Sequence, residues 1–128
     1  MSREHALGLL AMARKDLAAL GGMVDLPAVF ADEVFGFHAQ QAVEKALKAW
    51  LDLREEEYPR THDLSHLLAA LEALGERCEA YWSLVDLSVF AVQYRYEAFA
   101  DSPEAALDRA ALLETVEALV AHVESLRG

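Results

Sequence analysis

Hydrophobic residues recur every three to four positions along most of the chain, which is the period of an amphipathic helix. No stretch shows the strict alternation that is typical of a half-buried strand. The pattern predicts five helices, at about residues 2–20, 27–53, 61–74 and 78–99, and from Ser102 nearly to Gly128. Helices of this kind joined by short loops most economically form an up-and-down bundle, so we expect an all-α fold in a single domain over residues 1–128.

Local signals place the ends of three of these helices. Two adjacent glycines, Gly21 and Gly22, are predicted to end the first helix. Pro27 suits the first turn of the second helix, because its missing N–H would have no partner there. We expect Thr61 to cap the third helix and Asp63 to lie in its first turn, where the helix dipole favours negative charge.

The second helix carries polar residues inside its most apolar stretch, FHAQQAVEKALKAW (residues 37–50). His38, Gln41, Lys45 and Lys48 follow one another at spacings of three, four and three, so they form a single row on the helix surface. Two interpretations remain open: the row is a solvated face, or it is a sheltered row that satisfies buried partners or binds a ligand. The scarcity of amides favours the second, because the chain has three glutamines and no asparagine.

The same helix is apolar on more than one side. Such a helix either lies at the centre of its domain or also packs against a second copy of the chain. The residues alone leave both possibilities open. If a second copy packs there, the aromatic residues that we predict to lie at the interface are Phe35, Trp50, Tyr94 and Tyr96.

The formal charge of −11 argues against binding to DNA. Binding of that kind draws its free energy from basic side chains that displace counterions from the phosphates. A local exception lies between Lys45 and Arg60, a stretch of sixteen residues that holds four of the eleven basic residues. Composition therefore disfavours a nucleic-acid-binding surface and leaves room for one small basic site.

The chain has no segment suited to a membrane. Its longest run without a charged residue, residues 34–43, is ten residues long, whereas crossing a bilayer takes about twenty. The N-terminal residues lack the apolar segment and cleavage site of a secretory signal. One cysteine, Cys78, can form no internal disulfide, so we expect a cytoplasmic protein.

Two other places hold candidate binding residues. Capping explains Thr61 and Asp63 but gives no role to His62, and Arg95 lies between two tyrosines, an environment that suits a helix end or an interface. Among the histidines, only His62 and His66 have a spacing seen in metal sites, which is too little for a site, so we expect no metal and no cofactor. Spacing alone indicates no nucleophile with its base, and we assign no catalytic residue.

Three motifs together resemble a known family. FHAQQAVEKALKAW, then PRTHDLSHLL at residues 59–68, then an aromatic helix ending in QYRYE at residues 93–97, are similar to the HEPN domain (higher eukaryotes and prokaryotes nucleotide-binding). The resemblance covers nearly the whole chain. It implies a HEPN-like helical bundle, usually a homodimer, often encoded beside a minimal nucleotidyltransferase and bound to it, with a role in nucleotide binding, RNA processing or toxin–antitoxin-like systems.

Many HEPN proteins are metal-independent ribonucleases whose signature is an arginine followed after four to six residues by a histidine. The matching arginine here would be Arg95, and the positions for the histidine hold Ala100, Asp101 and Ser102. None of these can replace a histidine that takes a proton from the 2′-hydroxyl. The catalytic pair is absent at the matching position, so the resemblance does not extend to ribonuclease activity.

We therefore predict a nucleotide-associated accessory protein that partners a minimal nucleotidyltransferase. The polar and charged residues expected to line a cleft or dimer seam for a nucleotide or another anion are His38, Gln41, Lys45, Lys48, His62, Asp63 and Arg95. One alternative is a ligand-free homodimeric interaction module. The other is a metal-independent ribonuclease of a toxin–antitoxin system, which would lose activity on mutation of Arg95 or His62.

Overall fold

Four α-helices and one 3₁₀ segment make up the described part of the fold. The computed structural model describes residues 3–91 and 107–127. The elements are α1 (Arg3–Met23), α2 (Asp32–Leu53), α3 (Leu64–Ala73), the 3₁₀ segment Glu79–Leu87 and α4 (Arg109–Ser125), with α-helical backbone also over residues 88–91. No strand occurs within the described residues, and the prediction of an all-α bundle of about five helices is confirmed.

The connection between α1 and α2 differs from the prediction. The first helix continues through Gly21 and Gly22 to Met23, because Met23 is buried and its packing offsets the helix-weakening effect of glycine, about 1 kcal/mol per residue. The second helix does not begin at Pro27. A turn in which Phe30 N–H donates to Leu26 O precedes it, and α2 begins at Asp32.

The start of α3 is also corrected. Asp63, not Thr61, is the capping residue: its backbone is extended and its Oδ1 accepts from the N–H of Ser65 at 3.0 Å. Thr61 instead accepts from the N–H of Asp63 through its Oγ1 at 3.0 Å, one step before the helix. Both side chains therefore stabilise the start of this helix, and the helix begins two residues later than predicted.

The last two predicted helices differ from the prediction within the described residues. The segment predicted as a helix from residue 78 begins as a 3₁₀ helix and becomes α-helical only at residue 88. The final helix begins at Arg109, where Asp108 Oδ1 accepts from the N–H of Ala111. Its predicted start, at Ser102, lies outside the described residues.

Helix α2 is the centre of the bundle and contacts every other element. Phe35 and Trp50 are 0% and 1% exposed within the single chain. Trp50 donates through Nε1 to Glu76 Oε2 at 2.9 Å, and its ring meets that of His122 edge-on. A side chain enclosed by its own chain has no surface for a second copy, so the prediction that Phe35 and Trp50 lie at a dimer interface is wrong.

The other two predicted interface residues, Tyr94 and Tyr96, lie outside the described residues. Within the described part of the chain, no helix is both long and apolar enough to span a bilayer.

Candidate functional site

His38, Gln41, Lys45 and Lys48, here called the polar row, lie along one side of α2 at the edge of the core. The side chains of His38, Lys45 and Lys48 are 34%, 22% and 14% exposed. They reach the surface while most of their length is covered by neighbouring elements. This half-buried position results from the central place of α2, because its flanks lie beside α1 and beside the segment that leads into α3.

Asp16 of α1 holds two members of the polar row. Its Oδ2 accepts from Lys45 Nζ at 2.7 Å, and its Oδ1 lies 3.1 Å from His38 Nδ1. The carboxylate is only 13% exposed. One buried acid therefore fixes the positions of an ammonium group and an imidazole ring, and it compensates the charge of Lys45.

Glu44 holds the other members of the row from the middle of α2. Its Oε1 accepts from Gln40 Nε2 at 2.6 Å and lies 3.0 Å from His62 Nδ1, while its Oε2 accepts from Lys48 Nζ at 2.8 Å. Gln41 joins the same network by donating to Gln40 Oε1 at 2.7 Å. We call Gln40, Gln41, Glu44, Lys48 and His62 the Glu44 network.

The environment of Glu44 favours its ionised form. Burial acts to raise the pKa of this carboxyl, but the hydrogen bonds from Lys48, His62 and Gln40 outweigh burial, so the pKa of Glu44 is lowered from its usual value. An ionised carboxylate only accepts hydrogen bonds, so the Nδ1 of His62 carries the proton in their contact. The opposite ring nitrogen, Nε2, is then an acceptor in the neutral ring and a donor in the protonated ring.

Both imidazoles of the site share this orientation. His38 and His62 contact their carboxylates through Nδ1, and within residues 3–91 and 107–127 neither Nε2 has a hydrogen-bond partner. A carboxylate behind an imidazole sets its tautomer and its ring orientation, as in many metal and catalytic sites. In both rings, Nε2 therefore lies on the side away from the carboxylate.

Tyr58, in the loop after α2, closes one end of the site. Its ring lies 5.3 Å from Lys48 Nζ, a cation–π distance, and its hydroxyl is 2.8 Å from Nε2 of His5 on α1. The ring covers part of Lys48 and leaves the end of its ammonium group beside Glu44.

Asp63 lies next to His62 but is occupied as a helix cap. Hydrogen bonds from the hydroxyl and then the backbone N–H of Ser65 lower the pKa of Asp63 from its usual value. His66 Nε2 approaches the other carboxylate oxygen at 3.7 Å. The carboxylate thus orders the turn that carries His62, and its role in ligand binding stays a prediction.

The structure places five of the seven predicted ligand residues in two hydrogen-bonded clusters: His38 and Lys45 lie around Asp16, and Gln41, Lys48 and His62 belong to the Glu44 network. Arg95 lies outside the described residues. Sequence reasoning missed the importance of Asp16, Gln40 and Glu44. The spacing of Gln40, Glu44 and Lys48, four apart, was a usable signal, whereas Asp16 lies on another helix and gave none.

No group of three or more potential metal ligands occurs in the part of the chain that the structure describes. The site contains two ammonium groups and two imidazole rings, which two carboxylates hold in place.

Comparison with protein-family models gives one match: the HEPN domain, over residues 8–126. The chain belongs to the HEPN family. This match runs from the first turns of α1 to the end of α4, so it includes Asp16, the whole polar row and His62. The resemblance inferred from the three motifs is thereby confirmed. Searches of curated proteins and of solved structures found no match to this chain.

Proposed function

We propose that this HEPN protein is a nucleotide-associated accessory protein, and that its polar row and His62 bind the phosphate of a nucleotide. The observation that supports the proposal is the shared orientation of His38 and His62, each backed by a carboxylate and each with its Nε2 turned away from that carboxylate. Imidazole and ammonium groups form strong hydrogen bonds to phosphate oxygens.

The lysines have donors left for such a ligand. Lys45 uses one of its three N–H bonds on Asp16, and Lys48 uses one on Glu44. An anion that approaches from the solvent side would complete their coordination without displacing either carboxylate. Arg95, whose position matches the arginine of the family signature, is the further charge partner that we propose from the sequence.

The charge balance favours a small ligand over a nucleic acid. Asp16 and Glu44 compensate Lys45 and Lys48, so the cluster is close to neutral when both imidazoles are neutral. The whole chain carries −11 and repels a polyanion, while a mononucleotide has few charges and can be held by directed hydrogen bonds.

Calorimetric titration with ATP and AMP tests this proposal. We expect binding by the unmodified protein and about tenfold or greater loss of affinity in Lys45→Ala and His62→Ala, the usual cost of losing a hydrogen bond to a charged group. Lys15→Ala is the matched control, because Lys15 is an exposed lysine of α1 beside Asp16. Absence of heat at millimolar nucleotide, or equal binding by a Lys45→Ala/Arg95→Ala protein, would refute the proposal.

The proposed cellular partner is a minimal nucleotidyltransferase, as the family resemblance implies. A pull-down from native cells tests it separately from nucleotide binding. We do not propose ribonuclease activity, because Arg95 has no histidine at the signature spacing. Cleavage of RNA in the presence of a chelator, abolished by Arg95→Ala, would contradict that assignment.

A ligand-free interaction module is a second candidate, and one observation favours it. Leu26 and Val29, in the turn between α1 and α2, are 46% and 69% exposed, which places two large apolar side chains close together at the surface. This candidate predicts a partner protein, no heat with any nucleotide, and loss of the partner in a Leu26→Ser/Val29→Ser protein that still folds.

A further inference from the structure

The side-chain amide of Gln41 has a fixed orientation, because the charge of Glu44 sets it through Gln40. The ionised carboxylate of Glu44 only accepts hydrogen bonds, so the amide nitrogen of Gln40 faces it, with Nε2 2.6 Å from Glu44 Oε1. Oε1 of Gln40 therefore faces Gln41 and accepts from its Nε2 at 2.7 Å. Because Gln40 is fully buried, neither amide can turn over without leaving a buried polar atom unpaired.

Gln41 has hydrogen-bonding capacity left on the solvent side. Its amide has two N–H bonds and one acceptor oxygen, and it uses one N–H on Gln40. In the part of the chain that the structure describes, the buried side-chain atoms without a partner are both on Asp52. The unpaired Oε1 of Gln41 is therefore in contact with solvent. Gln41 thus presents one donor and one acceptor side by side, in a fixed order.

The side of α2 that carries Gln41 changes in character along its length. Val34 and Phe37 precede Gln41 on this side, at helical spacings of three and four, and both are partly exposed. Lys45 and Lys48 follow it at spacings of four and three. Gln41 therefore lies at the boundary between an apolar part of this surface and the part that holds the two ammonium groups.

This order matches the chemical structure of a nucleotide. A nucleotide has a flat base with a polar edge at one end, phosphate at the other, and a ribose between them. At ~1.5 Å per residue, Gln41 and Lys45 are about 6 Å apart along the helix axis, and Gln41 and Lys48 are about 10 Å apart. This separation leaves room for a sugar between a contact with the amide and a contact with an ammonium group.

We propose that Gln41 binds the edge of the base, and that the base is adenine. Oε1 of Gln41 accepts from the 6-amino group, and the remaining N–H donates to the neighbouring ring nitrogen, which is the paired contact that suits glutamine and adenine. A 6-oxopurine turns an acceptor oxygen toward Oε1 instead and leaves the amide half unpaired. Gln40 is a positioning residue, since it holds Gln41 without touching the ligand. This inference rests on the proposed nucleotide function and adds the side chain that selects the base.

Calorimetric titration with AMP and IMP tests this role, because the two ligands share ribose and phosphate and differ in the base. We expect the unmodified protein to bind AMP about tenfold more tightly than IMP, the usual cost of an unpaired hydrogen-bonding group. Gln41→Ala should bind the two equally. Gln40→Leu, which removes the contact that orients the amide, should reduce the preference. Lys15→Ala, the exposed control on α1, should keep it.

The NMR signals of the Gln41 side-chain amide give a second measurement, made on the unmodified protein. They should move on addition of AMP and stay in place with ribose 5-phosphate, which carries the phosphate without a base. Equal affinity for AMP and IMP, tighter binding of IMP, or Gln41 signals that AMP does not move would overturn the inference and leave the phosphate site standing. No binding of AMP, IMP or ribose 5-phosphate would refute the proposed nucleotide function itself.

Discussion

Helix α2 carries two buried acids whose surroundings are opposite. Glu44 accepts hydrogen bonds from Gln40, Lys48 and His62, whereas Asp52, eight residues further along, has no donor among the described residues. The two side chains lie about 12 Å apart along the helix axis. Their burial is similar, so burial alone does not say whether an acid stabilises this fold; the donors around it do.

The comparison also separates two kinds of environment. Around Glu44 and Asp16, the charges are compensated and the donors are held in fixed directions. Around Asp52, no compensating donor lies among the described residues. The following changes test this difference, beginning with the largest expected effect.

Glu44→Ala should cause the largest loss of stability, about 3 kcal/mol, because it leaves the ammonium group of Lys48 half-buried without its acceptor and leaves the Nε2 of buried Gln40 without one. Urea unfolding at pH 7 measures it. Glu57→Ala, at an exposed loop position, should change the free energy of unfolding by less than about 0.5 kcal/mol. A loss below about 1 kcal/mol for Glu44→Ala would show that the network contributes little.

Asp52→Asn should change stability in the opposite direction, by about 1–2 kcal/mol, because the neutral amide is less costly to bury than an unpaired carboxylate. Urea unfolding at pH 7 measures this change in the free energy of unfolding, as it does for Glu44→Ala. If Asp52→Asn destabilised the protein as Glu44→Ala does, the contrast between the two acids would not hold.

The dependence of stability on pH should distinguish Glu44 from an ordinary exposed acid. Its pKa is lowered in the folded protein, so the unfolded chain binds the proton more readily, and the stability that Glu44 contributes is complete above its unfolded pKa and is lost as pH falls through the folded pKa. The difference in unfolding free energy between the unmodified protein and Glu44→Gln should therefore shrink from pH 7 to pH 3. A constant difference would mean that the carboxylate charge is unimportant.

Glu55→Gly should have the smallest effect, a gain of about 0.5–1 kcal/mol, because glycine adopts the left-handed conformation without strain. Gly75→Ala is the converse control, because it replaces a glycine by a residue with a side chain at the equivalent turn of α3. It should lower the free energy of unfolding by about 1 kcal/mol. Thermal unfolding of the two variants compares them. Destabilisation by Glu55→Gly would show that the glutamate side chain makes a contact worth more than its backbone strain.

The spacing of apolar residues predicted the helices, and the three motifs predicted the family. The contacts between helices depend on packing and could not be predicted in this way. The spacing of His38, Gln41, Lys45 and Lys48 placed them in one row, since helical periodicity alone sets which residues share a side. That spacing could not identify Asp16, because its contacts with His38 and Lys45 depend on how α1 packs against α2.

The errors have the same origin. Gly21 and Gly22 indicated a helix end, but burial of Met23 extended α1 beyond them. Phe35 and Trp50 were assigned to an interface because an apolar pattern does not distinguish burial within one chain from burial between two. In the sequence, Asp52 is one acid among twenty-two, and only its burial without a donor among the described residues distinguishes it.

The most direct test of the central claim, that the polar row is arranged to receive a phosphate, is a nucleotide titration followed through the ring nitrogens of the histidines by NMR. We predict that the Nε2 signals of His38 and His62 move together as AMP is added, while those of His122, which packs against Trp50, stay in place. Nε2 signals of His38 and His62 that remain unchanged at saturating AMP would contradict the account.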